Sequence, residues 1–118
     1  MESTLKYDYS KFTDYDIHLF REGKHFKLWE KFGAFVLDEP AHSGVYFAVW
    51  APNAKTVHIS GTFNNWDKQQ LILKVRDDGS GIWEGVVTTA LPGDLYKFII
   101  LGANNEIYEK ADPCARRS

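Results

Sequence analysis

The chain has 118 residues, 15% of them aromatic, with 14 Lys and Arg against 16 Asp and Glu for a formal net charge of -2. That length fits one domain able to bury roughly two-thirds of its unfolded surface. The balanced charge, with only the Arg116-Arg117 pair near a terminus, excludes a nucleic-acid footprint, and the lone Cys114 excludes an intrachain disulfide. No apolar run approaches the roughly 20 residues of a membrane span, and the N-terminus lacks the apolar stretch of a signal peptide. The expectation is a cytoplasmic protein without a membrane or nucleic-acid partner.

The N-terminal third reads as helical. Thr13 with Asp16 three positions on forms a capping box, Ile17 and Phe20 give a short apolar face, and Gly23 is a stop. A second short helical stretch, Leu28 to Phe32, ends at Gly33. Pieces this short are not stable alone, so residues 1–33 form an extension packed on the main body.

From Ala34 onward the pattern is strands separated by turn signals. They are Ala34 to Leu37, Val45 to Trp50, Lys55 to Ser60, Leu71 to Val75, Ile82 to Thr88, Leu95 to Leu101 and Glu106 to Glu109. Asp77-Asp78-Gly79-Ser80-Gly81 and Gly102-Ala103-Asn104-Asn105 supply hairpin chemistry. Roughly seven or eight short strands with such turns predict an all-β, immunoglobulin-like antiparallel β-sandwich over residues 34–118. Alternation in 95–101 puts Tyr96, Phe98 and Ile100 on the core side and turns Lys97 outward. Trp83 reads as core, and Trp29 and Trp50 as structural.

The stretch Gly61-Thr62-Phe63-Asn64-Asn65-Trp66-Asp67 follows a strand and runs into turn chemistry, which places Trp66 near a sheet rim. Two readings of Trp66 stand side by side. A flat ring near water, flanked by Asn65 and Asp67, suits a sugar, whose C–H face stacks and whose hydroxyls pair with amide and carboxylate; the other reading is a core tryptophan after a bend. Lys97 offers three donors to sugar oxygens, or is a plain solvated lysine.

Catalytic chemistry finds no support. Glycosidic hydrolysis needs two carboxylates about 5–9 Å apart. Asp77 and Asp78 share a solvated hairpin loop, and Asp67, Glu84 and Asp112 lie on separate elements. Cys114 has no evident base. His18, His25, His42 and His58 lack ligand spacing, with His58 an exposed strand residue. No phosphate-cradling loop occurs. The expectation is no catalytic residue, no metal and no cofactor.

Gly61 to Asp67, with Gly81-Ile82-Trp83 and Leu95-Tyr96-Lys97-Phe98, resembles the family 48 carbohydrate-binding modules over about residues 34–113. That family includes N-terminal domains of α-glucan-active enzymes and a glycogen-binding kinase subunit domain. Three further stretches look like bacterial glycogen (1,4-α-glucan) branching enzymes: Leu19 to Ala34, Phe47 to Ala54, and Lys110-Ala111-Asp112-Pro113. The resemblance implies that Trp66 is the stacking residue and Lys97 the donor to sugar hydroxyls. By their own chemistry Asn65 and Asp67 assist, and under the resemblance Tyr108 is the aromatic nearest the position of a second tryptophan that this chain lacks.

The resemblance also implies an inactive domain excised from a larger enzyme. In such an enzyme a (β/α)8 barrel, which usually runs to about 250 residues, forms α-1,6 branches by cutting and transferring α-1,4-glucan chains. Implied partners are α-1,4-glucan, as glycogen or maltooligosaccharide, and that barrel in cis. Two alternatives are a glycogen-targeting module of a regulatory protein and the same domain of a debranching-type relative.

Overall fold

The computed structural model describes residues 5–23, 31–39, 42–112 and 116–117. Among these the chain forms ten strands: β1 (Leu5–Lys6), β2 (Gly33–Asp38), β3 (Ser43–Trp50), β4 (Ala54–Gly61), β5 (Leu71–Ile72), β6 (Lys74–Val75), β7 (Ile82–Val87), β8 (Tyr96–Gly102), β9 (Ile107–Asp112) and β10 (Arg116–Arg117). One α-helix, α1 (Asp14–Arg21), precedes β2. Sheet A runs β1-β7-β3-β2-β10 with β6 also on β7, and sheet B runs β5-β4-β8-β9. All pairings are antiparallel except β10 on β2, which is parallel.

The two sheets face each other across one core. Val45, Phe47 and Val49 of β3 and Trp83 and Val87 of β7 meet Val57 and Ile59 of β4 and Tyr96 and Phe98 of β8. Phe47 sits at its centre, with ring centroids 4.9 Å from Tyr96 and 6.3 Å from Phe98, both edge-on. Such pairs each add about 0.5–1.5 kcal/mol beyond area burial. The sandwich expected from the strand pattern is therefore present.

A second apolar layer covers the other face of sheet A. Phe12 and Ile17 of the N-terminal segment pack on Phe35, Leu37, Tyr46, Ile82 and Val86. The predicted capping box is formed: Asp16 N donates to Thr13 Oγ1 at 3.0 Å, and Thr13 N donates to Asp16 Oδ2 at 2.9 Å. A polar network pins the same segment. Glu84 Oε1 accepts from Ser10 Oγ at 2.6 Å and from the buried Tyr46 hydroxyl at 2.7 Å, while Arg76 Nη1 donates to Glu84 Oε2 at 3.2 Å. Burial, and then the neighbouring Glu84 charge, push the Tyr46 hydroxyl far above its ordinary pKa.

Several sequence expectations are corrected. Leu71 to Val75 is not one strand: β5 joins sheet B and β6 joins sheet A, with the buried Leu73 between them donating N–H to Val57 O at 2.8 Å. The chain crosses from one sheet to the other there. β1 was not foreseen; it pairs with β7 and sends Leu5 into the main core. In β8 the outward-facing Ile99 is also buried, whereas Ile100 is partly buried. His58 is half-buried rather than exposed. Asp78 is not simply solvated, because Arg76 Nε donates to its Oδ2 at 2.9 Å. The helical stretch predicted over 28–32 falls mostly outside the described residues, as do Trp29 and Cys114.

Candidate functional site

The outer face of sheet B carries the residues singled out in the sequence. Pairing registers Ser60 with Lys97, His58 with Ile99, and Thr56 with Leu101 across β4 and β8. Ile99 then pairs with Glu109, and Leu101 with Ile107, across β8 and β9. Because side chains alternate along a strand, all of these share the face away from the core.

The turn after β4 aims Trp66 at this face. Thr62–Asn64 forms a single 3-10 turn. Phe63 drops back into the core beside Phe47, at a centroid separation of 5.7 Å. Asn64 closes the loop from both sides: its Oδ1 accepts from Gly61 N at 3.0 Å, and its Nδ2 donates to Asp67 O at 3.1 Å. Trp66 N donates back to Gly61 O at 2.9 Å.

Asn65 and Trp66 both take left-handed backbone angles, φ 57° and 61°. Asparagine tolerates that region, but a bulky tryptophan there is an outlier that costs on the order of 1–3 kcal/mol. With Phe63 partly buried as an anchor and the backbone turned left-handed, Trp66 is 40% exposed. Among the two readings of Trp66, the core reading does not describe this ring.

Lys97 lies over it in a cation–π arrangement, with Nζ 5.7 Å from the Trp66 ring centroid. Ser60, registered opposite Lys97 on the same outer face, is completely buried. Asn65 is exposed next to the ring. Asp67 is also exposed, but its Oδ1 accepts from Gln69 N at 2.8 Å and Gln70 N at 3.0 Å, which makes it the cap of the following turn.

Tyr108 is not brought to this group. It registers with the core-side Ile100 and is 55% exposed on the opposite side of edge strand β9. It lines a shallow groove with Ala51, Pro52, Asn104 and Glu106, and its hydroxyl donates to Glu106 Oε1 at 3.2 Å. The β9 residue that shares the face of Lys97 at that end of the strand is Ile107, which is 67% exposed.

Two charged residues at the face were missed. Glu109 Oε1 accepts from Lys97 Nζ at 2.9 Å, and its Oε2 accepts from Lys68 Nζ at 2.7 Å. Lys68 and then Lys97 hold the Glu109 carboxyl down at a pKa of about 2. His58, on the same face, is pushed below its ordinary value by burial, partly offset by Asp67. The signal for Glu109 was parity along β9, readable only once the hairpin register was known. Nothing in the sequence marks Lys68. Among the described residues no group of His, Cys, Asp and Glu side chains could hold a metal ion, and no helix is long and apolar enough to cross a membrane.

The fold defines a two-sheet β-sandwich module braced by a helical N-terminal segment. Residues 31–115 match the family described as carbohydrate-binding module 48 (Isoamylase N-terminal domain), and the chain belongs to that family. It is 48% identical over 108 residues to the 1,4-alpha-glucan branching enzyme GlgB of Aromatoleum aromaticum, covering 92% of this chain and 16% of the relative. It is also 43% identical over 107 residues to the protein of the same name from Aquifex aeolicus, covering 91% and 17%. Among solved structures, it resembles a maltotriose complex of a PulA mutant from Klebsiella pneumoniae. There the TM-score is 0.51 and the identity 28%, covering 66% of this chain and 9% of that one. The chain thus spans about a sixth of the length of these curated relatives.

Proposed function

We propose that this chain is the non-catalytic α-glucan-binding and docking module at the N-terminal end of a glycogen branching enzyme. The observation that carries the reading is the Trp66 indole, turned outward on a left-handed backbone and set beside Lys97. An exposed aromatic face stacks on the C–H face of a glucose unit. Lys97 and Asn65 sit beside it as donors and acceptor for the hydroxyls, and Asp67 shapes the loop and reaches the ligand with its free carboxylate oxygen. Tyr108, on the other side of β9, plays no part in this face.

Relatives named as branching enzymes, at 42–48% identity, support the wider setting. In it the module occupies 34–118 with 1–33 as its brace, and the sandwich is of immunoglobulin-like type. The remainder of the polypeptide supplies a (β/α)8 barrel that docks in cis and acts as a cytoplasmic glycosyltransferase on α-1,4-glucan. The same module in a debranching-type protein is the second reading, supported by the resemblance to the PulA mutant at 28% identity. The test is retention in a native gel cast with glycogen. The wild-type chain is slowed and Trp66→Ala migrates freely; equal migration of the two removes Trp66 from the site.

A further inference from the structure

The loop that carries Trp66 is tied to the far edge of sheet B. It leaves β4, and Lys68, two residues past the indole, reaches Glu109 on β9. Because β8 lies between β4 and β9, the tie spans the outer side of β8. The second oxygen of the same carboxylate takes Lys97 of β8. One side chain therefore engages both the loop that holds the platform and the lysine that stands beside it.

We propose that Glu109 is the positioning residue of this face. Together with Lys68 it presets Lys97 and the Trp66 loop in a single arrangement for a neutral α-glucan. The proposal rests on the glucan-binding reading above and adds the device that organises it. A lysine ammonium has three donors, and Glu109 occupies one, leaving two to meet sugar hydroxyls. A long side chain that is already held loses less rotamer freedom when a ligand arrives. Charge-assisted bonds are the stronger kind and suit this task. Both partners remain partly open to water, with side chains 26% and 38% exposed, so dissolved salt weakens the tie.

The experiment is titration of the folded chain with maltoheptaose at low and at molar salt, using wild type, Glu109→Gln, Lys68→Met and the double variant. Each single change weakens binding about 2- to 10-fold. The two losses are not additive, because they open the same clamp. Wild-type affinity falls with salt although the ligand is uncharged, while Glu109→Gln is indifferent to it. Lys68 is an exposed side chain, so its variant keeps the test valid should Glu109→Gln fold poorly.

Additive losses would make Glu109 and Lys68 separate contacts and overturn the proposal. So would a salt-independent wild type, or variants that bind as well as or better than wild type. Those results leave the glucan reading standing if Trp66→Ala still abolishes binding; a wild type that ignores maltoheptaose overturns both.

Discussion

Gly61 is where fold and site meet, and Gly61→Ala is the change that probes the connection. Its backbone is extended, with φ at -173°, so the glycine is not there for a special angle. It is there for space. A Cβ at this position would stand 2.4 Å from Leu95 O and 2.4 Å from Phe63 Cε2, where ordinary contact begins at 3.4 Å, a shortfall of 1.0 Å (3.4 − 2.4) on both sides. Leu95 O is backbone and accepts from Thr62 N at 3.0 Å, and Phe63 is wedged against Phe47.

Neither neighbour of Gly61 can retreat without loss. Overpacking costs about 1–3 kcal/mol, and a stretched Thr62–Leu95 hydrogen bond adds about 1 kcal/mol. The sum, about 2–4 kcal/mol, is a large share of a stability of about 5–15 kcal/mol. At roughly 4 °C per kcal/mol for a domain of this size, Tm falls by about 8–16 °C. Thermal unfolding followed by near-ultraviolet circular dichroism measures it. Gly79→Ala serves as the control, since its Cβ would meet nothing within 4 Å and only its φ of +76° opposes the change. A Gly61→Ala protein that melts within about 2 °C of wild type would refute the close-approach reasoning.

Two further outcomes follow from the geometry of β9. Tyr108→Ala leaves maltoheptaose affinity within about twofold of wild type, because the ring lies on the opposite side of the strand from Lys97; a tenfold loss in the same titration would return Tyr108 to the site. Glu109 has a folded pKa of about 2, below the ordinary 4.5, so its ion pairs stabilise the fold above pH 4.5 and that contribution disappears as pH falls towards 2. Accordingly the Tm difference between wild type and Glu109→Gln is constant from neutral pH down to about 5 and shrinks below it. A difference that grows on acidification contradicts the assignment.

The strands most legible in the sequence were those bounded by clear turns: Val45 to Trp50, a continuous apolar run that sheet A buries on both faces, and the alternating Lys55 to Ser60. Lys55 to Ser60 turns Val57 and Ile59 to the core, and a one-residue slip would expose that face. The break inside Leu71 to Val75 was not legible, because an apolar run looks the same whether it stays in one sheet or crosses between two. β1 and β10 are two-residue pairings that depend wholly on their partners. At the site, the rim position of Trp66 could be read from turn chemistry, since Asn64 and Asn65 mark where the backbone reverses, but whether the ring faced water or the core could not. The face of Tyr108 could not, because the Gly102–Glu106 turn sets the register and moves Tyr108 to one side of β9 and Glu109 to the other. Lys68 was beyond reach, its partner lying 41 positions away.

Glucan binding by this face depends on the indole of Trp66 acting as a stacking platform. The most direct measurement is the tryptophan indole N–H signals of the folded chain during titration with maltoheptaose, alongside the affinity of Trp66→Ala. The Trp66 signal shifts most, that of the buried Trp83 stays nearly still, and the variant loses about 1–3 kcal/mol of binding if sugar stacking is comparable to base stacking. A saturating titration in which the Trp66 signal does not move, or a variant that binds as wild type does, would contradict it.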